Sequence, residues 1–395
     1  MELVRGRKIR EILLHNQNWW LFYIAYAHLI RVDILTNIIK ILACGTQFMG
    51  CHTYLCFNCN TTKVVFHTCK SRFCVSCGKK ATEAWIKKHL QLLPQTTWQH
   101  VTFTFPQQLQ PIFWLNRHLI TKMVPIPARI ITKHAMSMGV IPGIFVAVHT
   151  FGRDLKRNLH FHLSTTLSGL SIDKTTWMPK LRFNRRKLAI IKAQWTSTII
   201  TLLRNEYNSG NLVLPKNITE QQFFQYLDSY KHRPSWVVHF AKPSDNHYRT
   251  IIYLGRYLKR PPIGETRITD YDGSNVTYSY FDHHDKSLHS MALSVFDFIK
   301  RLITHIPDRY FRMVRYYNWL STRTRNQYLP FIYQALNQIV KKLQELSWRE
   351  LFFKNFGKDP LACPCCKNTV MLLIGFKYAN NLSQLMGKHK ILAFQ

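Results

Sequence analysis

The stretch Asn158-Leu159-His160-Phe161-His162-Leu163-Ser164 leaves the backbone little choice. Apolar residues precede it at Ile144-Phe145-Val146-Ala147-Val148, and the segment from Leu163 to Leu167 continues it with β-favouring threonines between two leucines. That pattern predicts a β-strand paired with the strand before it. Residues i and i+2 of a strand point to the same face. His160 and His162 therefore stand side by side, and Phe161 turns to the opposite face as core. Two adjacent imidazoles can grip a divalent metal ion and leave other coordination positions open. The pair alone does not separate a ligand pair from two packed histidines, so the rest of the chain has to decide.

Charge narrows the partners. The 395 residues carry 54 Lys plus Arg against 20 Asp plus Glu, a formal net charge of +34, and the basic residues are spread along the whole chain. A hydrophobic content of 46% marks a globular chain, long enough for two or three domains. A folded protein this basic suits a polyanion, nucleic acid first. No apolar run approaches the roughly 18 residues of a spanning helix, which argues against a membrane partner. Trp19 to Ile30 is apolar but short, contains His28 and lacks a small-residue cleavage site, unlike a signal peptide. The ten cysteines cluster in metal-type pairs, which favours a reducing cytoplasm over a disulfide scaffold.

Cys56-x2-Cys59 is followed after fourteen residues by Cys74-x2-Cys77. Each pair turns two thiolates toward one point, so Cys56, Cys59, Cys74 and Cys77 are expected to hold one tetrahedral zinc with no open position, a structural site. Cys44, Cys51, His52, His67 and Cys69 lie nearby and form either a second site or unligated core. Lys70, Arg72, Lys79 and Lys80 flank the pairs and suit contacts to phosphate.

A second informative stretch runs from Asn246 to a double proline, Pro261-Pro262. Its apolar residues recur at helical spacing until the prolines end it. Tyr253 and Tyr257 are four apart and share one helix face. A tyrosine hydroxyl can attack a phosphodiester and form a phosphotyrosine. Arg249, Arg256, Lys259 and Arg260 surround the pair.

Elsewhere the patterns predict amphipathic helices over residues 1–45, a helix from Ala81 to Leu93, a strand from His100 to Phe105, and helices over 107–140 broken by Pro125 and Pro127. A helix over 185–205, a strand at Trp236–Phe240, and a hairpin of Thr266–Asp270 with Val276–Phe281 follow. Leu288–Ile303 and residues near 331–346 read as helices. Cys363-x2-Cys366 is one knuckle with no evident partner. There is no Gly-x4-Gly-Lys-Ser/Thr loop, hence no motor for unwinding DNA.

Taken together, these stretches resemble the rolling-circle, two-tyrosine insertion-sequence transposases of the HUH (His-hydrophobic-His) nuclease superfamily. The likeness rests on Gly50-Cys51-His52 through Ser71-Arg72-Phe73-Cys74-Val75-Ser76-Cys77-Gly78, on His149-Thr150-Phe151-Gly152-Arg153-Asp154-Leu155 leading into His160-Phe161-His162, and on Tyr253-Leu254-Gly255-Arg256-Tyr257 with the Lys-Arg-Pro-Pro-Ile after it. His305-Ile306-Pro307 and Arg315-Tyr316-Tyr317 extend it. Phe73 stands where many relatives carry His, Leu159 where a Pro is common, and Asn318 where Gly usually follows the tyrosines.

The resemblance implies an α+β fold with an antiparallel-sheet nuclease core. It implies an N-terminal zinc-binding region at 1–93, a nuclease/transposase domain at 94–310, and a helical C-terminal region with a cysteine knuckle at 311–395. It implies that His160 and His162 hold Mg²⁺ or Mn²⁺, with His149 and Asp154 as candidates for a third ligand. Tyr253 and Tyr257 would be the nucleophiles. Zinc would sit on the four cysteines, with His52 and Cys69 as further candidates. Arg72, Lys79, Arg249, Arg256, Lys259 and Arg260 would contact single-stranded DNA, and a host helicase would supply unwinding. The implied setting is a bacterial cytoplasm, at the nucleoid. A plasmid or phage replication initiator or relaxase with the same site, and a non-catalytic zinc-containing DNA-binding protein, are the competing readings.

Overall fold

Alternating and continuous apolar runs set the strands. The computed structural model describes residues 8–231, 236–258, 261–282, 285–339, 347–367 and 369–379. Among these, the strands in chain order are β1 Cys51–Leu55, β2 Thr62–Phe66, β3 Trp98–Thr104, β4 Ile141–Phe151, β5 Arg157–Leu170 and β6 Trp177–Met178. Then come β7 Val238–Phe240, β8 Ile268–Tyr271, β9 Asn275–Phe281, β10 Leu288–Ser294, β11 Val314–Tyr317 and β12 Leu372–Lys377. All pairings are antiparallel. With the helices between them, this is the expected α+β class.

The chain forms two compact units, and neither is continuous in sequence. One comprises 1–84, 259–309 and 342–395; the other comprises 85–258 and 310–341. These units do not run along the expected linear division at 93 and 310. The first boundary falls inside the helix Val75–Leu92, which also begins earlier than its expected start at Ala81. The C-terminal stretch divides too, because Val314–Tyr317 is a strand of one unit's sheet and Leu372–Lys377 a strand of the other's. It is thus not purely helical. Of the helix expected near 331–346, Arg325–Ala335 is present and 340–346 lie outside the described residues.

In the unit holding residues 85–258, the sheet runs β11-β4-β5-β3-β7, with β6 on β5. β4 is buried along almost its whole length, as its unbroken apolar run demands of a central strand covered on both faces. One face carries Val101, Phe103, Val146, Val148, Phe161 and Leu163 and packs against helices. The helix Arg185–Asn208 presents Trp195 to Phe103 and Phe161 there. Pro125 opens the helix Pro125–Met136 rather than breaking one. Its missing N–H falls where a helix has no internal partner for it anyway. The other face carries Trp98, Phe145 and Ala147, which pack with Trp85, Ile251 and Trp319. Gly169 lets β5 pass close to Ile141: a methyl group there would run into that residue's backbone.

In the other unit, the helices Lys8–Leu14 and Asn18–Tyr26 pack against the β8-β9-β10 segment. Tyr271 Oη meets His15 Nδ1 at 2.8 Å and accepts from Asn18 Nδ2 at 2.9 Å. The hairpin around Asp272-Gly273 forms as expected. The helix expected over Leu288–Ile303 does not begin until Val295. Leu288–Ser294 is a strand pairing with β9, its burial alternating residue by residue. Ser294 switches the chain from one to the other: its backbone is extended, and its hydroxyl accepts from the Asp297 N–H as a helix cap.

Candidate active site and cysteine clusters

The parity of three neighbouring strands assembles the site. His149 on β4 lies opposite His160 on β5, and Ala147 opposite His162. Thr102 of β3 pairs with His162 and His100 with Ser164. His100, His149, His160 and His162 thus share the face that carries Phe145 and Ala147. One ligand nitrogen from each of His149, His160 and His162 lies within 4.8 Å of the others, and their rings meet edge to face. Among the two candidates for a third ligand, the structure brings up His149. Asp154 instead turns to its own loop, accepting from the Lys156 N–H at 3.1 Å and pairing with the Lys156 ammonium at 3.3 Å.

Burial favours the neutral imidazole at His160 and His162. Burial pushes His160 down, against a carbonyl contact with Asn158 that raises it. His162 is held well below the ordinary range, by burial first and then by His149, His160 and His100. Neutral imidazole is the form that binds metal. His160 Nδ1 lies 2.8 Å from the Asn158 carbonyl, so it carries the proton and Nε2 is the metal-binding nitrogen.

His100 was not singled out from sequence. Its Nε2 lies 2.9 Å from His162 Nδ1 and its Nδ1 lies 3.3 Å from Ser164 Oγ. Burial, with His239 and His160 adding, lowers it to about 4. A metal on Nε2 of His162 requires the proton on Nδ1, donated to His100, whose own Nδ1–H then donates to Ser164. Such outer contacts fix the tautomer and ring orientation of a ligand histidine. The available signal was register: position 100 falls opposite Ser164, two residues beyond His162 on the same face.

The helix His247–Leu258 carries Tyr253 and Tyr257 and packs beside β3 and β4. Ile251 is buried with Phe145 and Ala147, so this helix lies on the sheet face that bears the four histidines. Gly255 is the second contact; a methyl there would meet Ile86 of the neighbouring helix. Tyr253 and Tyr257 lie on this same helix. Their side chains, and that of Arg256, lie outside the described part of the structure, as do Lys259 and Arg260 altogether. Arg249 and Lys79 are exposed, as DNA contacts require. Arg72 differs: its guanidinium is turned inward over Phe73, 5.3 Å from the ring centroid, and burial lowers it to about 10.

The cysteines expected to share one four-cysteine site, Cys56, Cys59, Cys74 and Cys77, lie in two separate groups. Cys74 and Cys77 gather with Cys44 and Cys69, whereas Cys56 and Cys59 gather with Cys363 and Cys366. In the first cluster Cys77 Sγ lies 3.7 Å from both Cys44 and Cys69, and Cys74 lies 3.8 Å from Cys44. The hairpin of β1 and β2 carries the Cys56–Cys59 knuckle at its tip, turned away from the second pair. Cys69 lies in the first of these clusters. His52 does not; it faces His67, Nδ1 to Nε2 at 3.1 Å.

Comparison with known proteins decides the family. A family model described as "Putative transposase" matches residues 143–328, which include His149, His160, His162 and the tyrosine helix. A second, "Transposase zinc-binding domain", matches residues 15–105. The chain is 34% identical over 376 residues to the transposase for insertion sequence element IS801 of Pseudomonas savastanoi pv. phaseolicola, covering 91% of this chain and 88% of that protein. The chain belongs to the insertion-sequence transposase family.

It is also 24% identical over 343 residues to "Putative transposase y4qJ" of Sinorhizobium fredii (strain NBRC 101917 / NGR234), covering 84% and 86% of the two chains. No solved structure matches. Membership in this family bears out the resemblance to two-tyrosine transposases and makes DNA the substrate. A structural zinc fits both the zinc-binding domain and the cysteine clusters. No described helix of this transposase is long and apolar enough to cross a membrane.

Proposed function

We propose that this transposase nicks and rejoins single-stranded DNA through a covalent 5′-phosphotyrosine during rolling-circle transposition. The observation that carries the reading is shared placement: His149, His160 and His162 converge on one sheet face, and the helix bearing Tyr253 and Tyr257 packs on that same face.

The three imidazoles lie within reach of one ion, and burial lowers the pKa of His160 and His162, a set that fits a divalent metal. When bound, Mg²⁺ or Mn²⁺ supplies Lewis-acid polarisation of the scissile phosphate. Imidazoles alone favour softer metals, so the preference for Mg²⁺ or Mn²⁺ rests on the family. One tyrosine gives up its proton and its Oη attacks phosphorus in line. The bond from phosphorus to the 3′ oxygen breaks, and that oxygen leaves as a 3′-hydroxyl after taking up a proton. The phosphodiester energy stays in the phosphotyrosine, so attack by another 3′-hydroxyl rejoins DNA without a nucleotide cofactor. A second tyrosine one helical turn away suits a second strand. The net charge of +34 suits the phosphate backbone, and a host helicase would supply the strand.

Labelled single-stranded DNA incubated with the protein and Mn²⁺ tests this. A covalent adduct is expected in which the protein carries the fragment 3′ of the cut, joined through its 5′ phosphate. Cleavage with a free 5′ end and no adduct would sink the tyrosine mechanism.

A further inference from the structure

We propose that Cys56, Cys59, Cys363 and Cys366 form a second, separate four-thiolate zinc site that fastens β12 onto β1, joining segments some three hundred residues apart. The zinc-binding domain match spans residues 15–105, so it contains Cys44, Cys69, Cys74 and Cys77 complete but only half of this second set.

Four observations carry the proposal. Sγ of Cys59 lies 3.4 Å from Cys363, and Sγ of Cys56 lies 3.6 Å from Cys366. A disulfide would need about 2.05 Å, whereas four sulfurs about 2.3 Å from one zinc stand about 3.8 Å apart. The two knuckles are also built alike. Each closes a hairpin-like turn, with Cys56 N–H donating to Thr61 and Cys363 N–H to Thr369. In each, the residue after the second cysteine takes a left-handed backbone, Asn60 at φ 57° and Lys367 at φ 58°.

The local core is the third observation. Around the knuckles it consists of Cys56, Cys363 and Met371, with Tyr54, Cys59 and Cys366 against them. So small an apolar cluster does not hold a three-stranded sheet alone, and a bound metal is the usual substitute. Finally, β12 is mostly exposed, so side-chain burial contributes little to keeping it on β1. Its backbone ladder, from Cys51 opposite Lys377 to Leu55 opposite Leu372, ends beside the sulfur cluster. A metal there closes a loop far longer than the knuckles themselves, where the chain-entropy gain from a cross-link is largest.

The test is metal content of the full-length protein, carried in a His160→Ala, His162→Ala background so that imidazoles add no zinc. Two zinc ions per chain are expected, falling to one in Cys363→Ser, Cys366→Ser, with Cys56 and Cys59 becoming reactive to a thiol reagent. Because that variant also risks unfolding the sheet, Cys363→His is measured on the cobalt-loaded protein. The proposal expects cobalt still bound at both sites, with half of the spectrum moved from four-sulfur to three-sulfur, one-nitrogen character. One zinc per chain before mutation, two in the double Ser variant, or an unmoved cobalt spectrum would each overturn it.

Discussion

The imidazole of His100 lies against that of His162, Nε2 to Nδ1 at 2.9 Å, with the ring planes inclined by only 24°. His162 is one of the converging trio, and His100 holds it from the neighbouring strand. His100→Phe keeps a ring of similar bulk and removes the contact. Loss of such an outer partner weakens metal binding about 10- to 100-fold. Mn²⁺ titration of the purified variant, with unfolding followed in parallel, checks this. An unchanged Mn²⁺ affinity would reduce His100 to packing.

His149 and Asp154 separate cleanly. His149→Ala should lower both Mn²⁺ affinity and adduct yield, since it removes one of three converging nitrogens. Asp154→Ala should leave both near the starting level, because its carboxylate serves the Lys156 turn. The reverse ranking would mean that Asp154 is the third ligand.

Tyr253→Phe with Tyr257→Phe deletes both hydroxyls and keeps both rings. The variant should fold and bind single-stranded DNA as before yet form no adduct. The single variants should differ from each other, because one hydroxyl serves the first cut. A 5′-linked adduct from the double variant excludes this mechanism.

Tyr316 tests a buried polar knot that the proposed chemistry does not use. Trp85 Nε1–H donates to its hydroxyl at 3.1 Å, and the hydroxyl donates to His89 Nε2 at 2.6 Å. The His89 tautomer follows from its Nδ1, which donates to the Trp85 carbonyl at 2.8 Å. Burial raises the Tyr316 phenol to about 12. Tyr316→Phe strands a buried donor and a buried acceptor, at a cost of about 1–3 kcal/mol. Chemical denaturation should show that loss while Mn²⁺ affinity stays unchanged.

Gly169→Ala should cost about 1–3 kcal/mol, the range for overpacking. Here the obstacle is the Ile141 backbone, which yields less readily than a side chain. A lowered thermal midpoint is the expected reading; an unchanged one would mean that β4 and β5 separate without penalty.

What could be read from sequence was what local geometry determines. The i, i+2 rule put His160 and His162 on one face, and helical spacing placed Tyr253 and Tyr257 together. Register across strands is set by long-range pairing, so His100 and the choice of His149 over Asp154 appeared only with the sheet. The cysteine grouping was hidden for the same reason: a spacing of fourteen residues suggested one site, while the structure sets Cys56 beside Cys366. Leu288–Ile303 kept apolar residues at helical spacing across a change of structure, and only the Ser294 cap marks the break. Asn318, at a position where the resemblance leads one to expect Gly, has φ of 58°, a conformation Asn tolerates better than most residues. Its side chain also donates to Pro142 and Thr132, which Gly would not do.

The pairing of β12 with β1 sets a schedule for the ribosome. Cys59 and Cys363 are 304 positions apart, and at roughly 5–20 residues per second the earlier knuckle waits about 15–60 s for the later one. During that interval the edge of β1 later taken by β12 has no partner from its own chain. The segment made earlier is thus finished only when the later one arrives, and a chain interrupted before Cys363 carries an open strand edge of the kind that promotes aggregation and draws chaperones.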